Sequence, residues 1–246
     1  MEMKRISFVF AFILLAATTL FGQTKADVVN KIWKNVGGKK VWEQSRFIMF
    51  EFSPEKEGKS VMSRTHLWDR YTGDYRFESQ TPDNKNLLVL FNVQNKKGKS
   101  FIDGKPASDS LNTANIKKAY AAFINDSYWL LVPVKLEDPG VNLELKDPEE
   151  IEGKKYSVLH LDFDKVGLTP GDQYWLYVDP ENGKIIRWKF LLQGQKEYES
   201  FNWINYKDLG GGLKIATRKQ NIKQNSAINF PIATVLVSVD PKKFIK

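Results

Sequence analysis

The sequence of 246 residues contains no cysteine and only two histidines, His66 and His160. The absence of cysteine excludes disulfide bonds, thiolate metal sites and cysteine nucleophiles. It also excludes a lipoprotein that is anchored through an acylated N-terminal cysteine. We therefore expect packing and hydrogen bonds to hold the fold by themselves.

The common catalytic and nucleotide-binding motifs are absent as well. The sequence has no Gly-x-Ser-x-Gly elbow, no His-Glu-x-x-His helix and no dinucleotide fingerprint. Residues 58–60 and 98–100 both read Gly-Lys-Ser, but a phosphate loop needs a glycine five residues before its Gly-Lys, where this chain has Ser53 and Val93. We interpret both triplets as hairpin turns, and the sequence predicts no cofactor.

One group of polar residues is compatible with a third function, that of a hydrolase. His160, Asp162 and Asp164 alternate along one predicted strand, so their side chains share a face that a hydroxylated substrate or a divalent metal could meet. A solvated strand face explains the same pattern, and we favour that interpretation, predicting neither catalytic residues nor a metal site. We interpret the other histidine, His66, as a surface or rim residue.

The only long apolar run stands at the N-terminus. Residues 1–5 include the basic side chains of Lys4 and Arg5, residues 6–21 form an uncharged apolar run, and Gly22 precedes a polar stretch. This pattern predicts a cleaved signal peptide over residues 1–22. The alternative, a retained membrane anchor, needs about 20 apolar residues, more than this run offers. We expect an exported periplasmic protein, with a peripheral position at the outer membrane or secretion as alternatives, and no transmembrane segment after cleavage.

The remainder, residues 23–246, is predicted to form one β-rich domain with a basic surface. The full chain has a net charge of +8. A positive excess can favour nucleic acid or anionic lipid. Here the lysines fall in short pairs beside turn residues, at 39–40, 96–97, 154–155 and 242–243. This scatter indicates solvated turns, so we predict no nucleic-acid partner.

Hydrophobic periodicity predicts two helices among many short strands. Residues 26–36 have a helical apolar stripe that ends at Gly37, and residues 111–123 have another, with Ser110 or Asn112 available as N-cap. Elsewhere the period is two, as at Ile48, Phe50 and Phe52, at Tyr75 and Phe77, at Leu159, Leu161 and Phe163, and at Ile186, Trp188, Phe190 and Leu192. Frequent turn residues between these runs indicate an antiparallel meander of the α+β class.

The most specific turn lies at residues 179–183, Asp-Pro-Glu-Asn-Gly, between two alternating segments. Its Asn-Gly pair supplies the positive φ that a hairpin loop needs. Three further strands are predicted over residues 196–206, 211–220 and 226–239.

Aromatic residues are abundant, with 7 Trp, 9 Tyr and 16 Phe. They can fill a large core, or the sheet can curl around a cavity that they line. Composition does not decide between these two structures.

Two segments carry a family resemblance. Residues 174–184, Tyr-Trp-Leu-Tyr-Val-Asp-Pro-Glu-Asn-Gly-Lys, resemble a strand and turn of the LolA/LolB-like superfamily of periplasmic lipoprotein carriers. Residues 126–140 look like the signature of an uncharacterised secreted bacterial family within that fold group. The resemblance implies a half-open antiparallel β-barrel, or curved sheet, whose concave face is covered by the N-terminal and mid-chain helices.

The resemblance also implies a function. Carriers of this superfamily hold acyl chains in an apolar cavity and pass them to a receptor, which suggests a non-enzymatic envelope protein that binds an acyl chain or another hydrophobic small molecule. An envelope structural or protein-interaction module, with a protein partner, is the alternative. The ligand-binding residues that the resemblance suggests are Phe50, Phe52, Phe77, Trp188 and Phe190 on the sheet, and Tyr120, Phe123 and Trp129 on the lid.

Overall fold

The computed structural model describes residues 23–164 and 168–245. The signal peptide predicted over residues 1–22 lies outside this part of the chain and stays a prediction. The helices are α1 (Lys25–Asn35), α2 (Lys39–Gln44) and α3 (Asp109–Leu131). The strands are β1 (Phe47–Lys56), β2 (Lys59–Ser60), β3 (Arg64–Asp69), β4 (Asp74–Gln80), β5 (Asn86–Asn92), β6 (Gly98–Ile102), β7 (Lys105–Pro106), β8 (Val141–Ile151), β9 (Lys154–Phe163), β10 (Gln173–Val178), β11 (Ile185–Leu191), β12 (Glu199–Asp208), β13 (Lys214–Asn221), β14 (Ser226–Asn229) and β15 (Ala233–Leu236).

The strands form one antiparallel sheet that is curved and half open. Their order is β7-β6-β5-β4-β3-β1-β14-β13-β12-β11-β10-β9-β8, and β2 and β15 pair with β1 beside this path. Within the described ranges the end strands β7 and β8 do not pair with each other, so the sheet does not close into a barrel. The predicted fold class is confirmed.

Helix α1 begins at a capping box. The Thr24 side chain accepts a hydrogen bond from the backbone of Asp27, whose carboxylate accepts one from the Thr24 backbone. The buried face of α1 joins the main core through Val28, Val29, Ile32 and Trp33. The predicted helix is confirmed, but the short helix α2 that follows it was missed, because six residues are too few to display a helical period.

Helix α3 is much longer than the predicted helix over residues 111–123. It begins after Ser108, so neither Ser110 nor Asn112 is the N-cap, and that prediction is wrong. Instead, the Asn112 side chain accepts a hydrogen bond from the Ser100 backbone at 2.6 Å and thereby ties the first turn of α3 to β6. At its other end α3 continues to Leu131, where Pro133 in the next turn prevents further helix.

Two core clusters lie under α3. One is formed by the first half of α3 and strands β4 and β5, with Tyr75, Phe77 and Phe123 among its members. The other is larger and joins α1, the end of α3, strand β1 and strands β9–β13 around residues such as Trp188 and Trp203. Because α3 contacts both clusters, it covers the concave face over much of its width.

The hairpin predicted at residues 179–183 is confirmed between β10 and β11. Asp179 N donates to Lys184 O at 2.8 Å, and Gly183 has φ +75°. Gly183 also lies against α1, since a Cβ atom there would stand 2.1 Å from Lys31 O. The turn therefore needs glycine both for its backbone conformation and for the close approach of the helix.

We expect Gly183→Ala to destabilise the protein more than the matched variant Gly153→Ala. Gly153 has a similar φ of +80°, but nothing lies within 4 Å of a Cβ placed there. Both variants should lose about 1–2 kcal/mol from the strained backbone. Gly183→Ala should lose at least about 1 kcal/mol more because α1 must move. Urea unfolding of both variants measures the difference, and equal losses would show that the approach of α1 does not constrain the turn.

Among the described residues, no helix has both the length and the apolar character that crossing a membrane requires.

Candidate functional site

A cavity of about 730 Å³ lies between the second half of α3 and one end of the sheet. At this end β9 and β11 finish and β8 and β10 begin, so four antiparallel strands supply its floor. Most of its wall is apolar. The apolar and aromatic lining residues are Phe123, Ile124, Tyr128, Trp129, Pro139, Val141, Phe163, Leu168, Tyr174, Trp188, Phe190 and Leu192.

The aromatic wall is built where alternate strand residues meet successive turns of α3. Trp188 and Phe190 are two apart on β11 and therefore face the same side of the sheet. Trp129 of α3 meets Trp188 edge-on, with ring centroids 4.6 Å apart, and Phe190 at 5.8 Å. Tyr174 on β10 packs against Trp188 at 5.2 Å. Contacts of this kind between aromatic rings stabilise the wall beyond the area that they bury.

The structure brings four of the eight suggested ligand-binding residues together at the cavity. Phe123 and Trp129 line it from α3, and Trp188 and Phe190 line it from β11. No measurement of binding bears on them, so their role stays a prediction.

The other four suggested residues do not line this cavity. Phe50 and Phe52 lie in the main core, where both contact Phe230. Phe77 belongs to the second core cluster, and Tyr120 packs against that cluster beneath the Lys96 ammonium group. Phe77 and Tyr120 are packed because α3 fills the concave face of β4 and β5 with its own side chains, whereas Phe50 and Phe52 are packed because Phe230 lies against them.

Sequence reasoning missed Tyr128, Phe163 and Tyr174 as lining residues. Tyr128 and Tyr174 lie within the two segments that carry the family resemblance, residues 126–140 and 174–184. Phe163 was predicted to lie on the apolar face of its strand. The missing information was the length of α3, because a helix that ends at residue 123 does not bring Tyr128 over the sheet.

Several polar groups at the cavity are engaged with one another. Lys135 and Asp138 form an ion pair at 2.9 Å. Asp172 accepts hydrogen bonds from Gln193 N at 2.7 Å, from Tyr174 Oη at 3.3 Å and from the Thr169 hydroxyl. This last set fastens the chain before β10 to the end of β11, so it fixes one side of the opening.

A buried ionic network fastens α3 to the first half of the sheet. Asp126 of α3 is fully buried and accepts from Arg64 Nη2 at 2.7 Å, while Asp126 Oδ2 lies 3.0 Å from His66 Nε2. His66 Nδ1 lies 2.9 Å from Tyr75 Oη. A neutral His66 that donates through Nε2 and accepts from Tyr75 satisfies every one of these atoms.

The expectation that His66 is a surface or rim residue is wrong. Its side chain is fully buried, stacked on Phe50 with ring centroids 4.4 Å apart. Burial lowers the pKa of His66, which opposes the effect of the Asp126 carboxylate and favours the neutral ring. The sequence could not reveal this position because its partner Asp126 is sixty residues away.

The residues of the hydrolase hypothesis lie on the outer face of the sheet. Their neighbours Leu159 and Leu161 face the core, so His160 and Asp162 face away from it. Asn142 Nδ2 donates to both Asp162 and Asp164 at 2.8 Å, while His160 Nε2 lies 3.2 Å from Gln173 Oε1. Across residues 23–164 and 168–245, no three His, Asp or Glu side chains are placed to hold a metal ion together.

Comparison with models of sequence families identifies the family of this chain. The sequence model of DUF6503, described as a family of unknown function, matches residues 4–224. The chain belongs to this family. Comparison of the DUF6503 chain with curated proteins finds no match.

Solved structures share the fold of the DUF6503 chain at low sequence identity. A LolA superfamily protein from Nitrosomonas europaea is 12% identical, has a TM-score of 0.53, and is matched over 91% of this chain and 99% of its own. A DUF1329 family protein from Desulfovibrio piger is also 12% identical, with a TM-score of 0.50 and coverage of 89% and 96%. The resemblance to the LolA-like superfamily is confirmed at the level of the fold, within a family of unknown function.

Proposed function

We propose that this protein is a non-enzymatic binding protein or carrier that holds an acyl chain, or a comparable hydrophobic ligand, in the cavity beneath α3. One observation carries the proposal: about 730 Å³ of space remains between α3 and the sheet, and its wall is predominantly aromatic and aliphatic. The volume lies within the range of about 300–1,000 Å³ that is usual for ligand sites.

The hydrophobic effect supplies the affinity in this proposal. Each buried methylene of a ligand contributes about 0.8 kcal/mol, so a long hydrocarbon chain gains much by leaving water for an apolar wall. The rigid rings of Trp129 and Trp188 provide that wall without a large entropic cost of ordering. Helix α3 is the element that would have to shift for a ligand to enter deeply, since its second half covers the cavity.

The likeness to a LolA superfamily protein supports the same role and an envelope location. We propose export because a signal peptide is predicted. We also propose that residues 23–246 form a single domain. The proposed function assigns no role to the described residues of the outer face, including His160. The proposal includes no catalytic step.

We expect a stearic acid brominated at mid-chain, or its methyl ester, to quench tryptophan fluorescence when it is added to delipidated protein. Bromine quenches only at short range, and Trp129 and Trp188 line the cavity. Trp129→Phe should therefore remove a distinct part of the quenching. Titration at fixed protein concentration measures both the affinity and the quenched fraction.

Trp175→Phe is the matched control. Trp175 neighbours the lining residue Tyr174 on β10 but faces the outside, where it packs on His160 and Tyr198. Its replacement should leave the quenched fraction due to the ligand unchanged. Quenching that disappears in Trp175→Phe and persists in Trp129→Phe would place the ligand on the outer face. Absence of any quenching would contradict the proposal and favour a role in protein interaction.

A further inference from the structure

Two hydrogen-bond donors in the cavity wall have no acceptor. Tyr128 Oη and Trp188 Nε1 are enclosed, and neither has a hydrogen-bond partner among the residues that the structure describes. Both side chains line the cavity, and their rings are neighbours, with centroids 6.4 Å apart. The contrast with Tyr174 in the same wall is sharp, because the Tyr174 hydroxyl donates to Asp172.

Unsatisfied donors are uncommon in native proteins because each costs about 1–3 kcal/mol when it is buried. If position 128 lay in a solid apolar core, phenylalanine would be more stable there than tyrosine, because the two side chains differ only in the hydroxyl that would stay unpaired. Burial also raises the pKa of Tyr128 well above its usual value, so its hydroxyl stays protonated and remains a donor. The wall therefore holds two neutral donors on neighbouring rings, among lining residues that are mostly apolar.

The charges at the cavity disfavour an anionic ligand group. Among the described lining residues the cation is Lys135, and it is already paired with Asp138. The other charged lining residue is a second carboxylate, Asp172, whose oxygens receive three hydrogen bonds. A free carboxylate or phosphate would meet no unpaired cation among the lining residues that the structure describes, and burying an uncompensated charge is costly. A neutral carbonyl oxygen carries no such cost.

We propose that the cavity selects acyl chains whose carbonyl is part of an ester or an amide, with Tyr128 Oη and Trp188 Nε1 as its donors, over free fatty acids. This inference rests on the proposed function and specifies its ligand class. The aromatic wall takes the hydrocarbon, and the donor pair marks where the chain joins its polar part. Entry of the ligand requires the aromatic side chains that enclose these donors to shift enough to admit one oxygen atom.

Three ligands of equal chain length test the inference: methyl palmitate, palmitate and hexadecane, each delivered from the same cyclodextrin and measured by displacement of the brominated methyl ester. We expect methyl palmitate to bind most tightly. Tyr128→Phe should weaken methyl palmitate about 2- to 10-fold and leave hexadecane unchanged, since only the ester uses the hydroxyl. Tyr198→Phe, which removes a hydroxyl from the outer face, is the control and should alter neither affinity.

The outcomes separate this inference from the function on which it rests. If palmitate binds as tightly as methyl palmitate, or if Tyr128→Phe weakens the ester and hexadecane equally, the carbonyl site is wrong while acyl binding stands. If none of the three ligands displaces the brominated ester and that ester does not quench, both proposals fail. Thermal unfolding checks that Tyr128→Phe is folded. The preference of the unmodified protein for methyl palmitate over palmitate tests the inference even if the variant does not fold.

Discussion

Asp126→Ala is expected to lower the free energy of unfolding by about 3–5 kcal/mol, a loss typical of breaking a buried ionic network by removing one partner. Asp126 is fully buried, and its loss leaves the partly buried Arg64 without a counter-ion and His66 Nε2 without an acceptor. Because the network joins α3 to β3, the variant should also loosen the helix that covers the cavity. Urea unfolding measures the first effect, and quenching by the brominated chain measures the second.

Two further variants isolate the cause. Asp83→Ala removes an exposed carboxylate that pairs with Lys85 in a turn, and it should change stability little because exposed pairs contribute little. Asp126→Asn keeps the size of the side chain and removes its charge, so it should fall between Asp126→Ala and the unmodified protein. If Asp126→Ala unfolds at the same urea concentration as Asp83→Ala, the network does not hold α3 in place.

Lys219→Met is expected to raise the free energy of unfolding at pH 7 by about 1–3 kcal/mol, because an amine buried in an apolar site must be desolvated on folding. Lys219 on β13 is fully buried between the rings of Trp203 and Phe230, and its Nζ donates to Ala216 O at 2.6 Å. It forms no ion pair within the described part of the chain. Methionine fills the same space without a group that must be desolvated.

The pH dependence of stability tests the same residue independently. Burial lowers the pKa of Lys219 well below its ordinary value of 10.5. The unfolded chain therefore binds a proton that the folded chain has lost, and stability should rise as the pH increases toward about 10.5. Lys219→Met should flatten this rise, whereas Lys207→Met, at an exposed position of β12, should retain it. A slope that is equal in all three proteins would show that Lys219 is charged when folded.

Local patterns predicted the elements well wherever a whole face is buried. Ile48, Phe50 and Phe52 alternate in sequence and are all buried on the same side of β1. The turn before β11 was equally predictable, because its Asn-Gly pair encodes a backbone conformation that few residues adopt. Both signals depend only on neighbours in the chain.

Predictions failed where a residue's environment comes from distant segments. His66 looked like a surface residue because a strand pattern does not reveal a carboxylate that arrives on α3. The buried position of Lys219 was not predicted for the same reason, since the residues that enclose it lie on β12 and beyond β14. The end of α3 was misjudged because the polar residues 125–127, which lie within the helix, interrupt the apolar pattern after Phe123.

The class of fold, the faces of the strands, the existence of the two main helices and the resemblance to the LolA-like superfamily could all be predicted from neighbouring residues, because period, turn chemistry and local motifs are local signals. Which aromatic side chains fill a core and which surround a cavity depends instead on contacts between distant segments. Phe50 and Phe77 lie wholly within core clusters, whereas Trp188 and Phe190 belong to the main core and also line the cavity. The local strand pattern shows that a side chain points toward the concave face of the sheet. Whether that side chain is packed or lines a cavity depends on the distance between the sheet and α3. The length of α3 and its attachment through Asp126 set this distance.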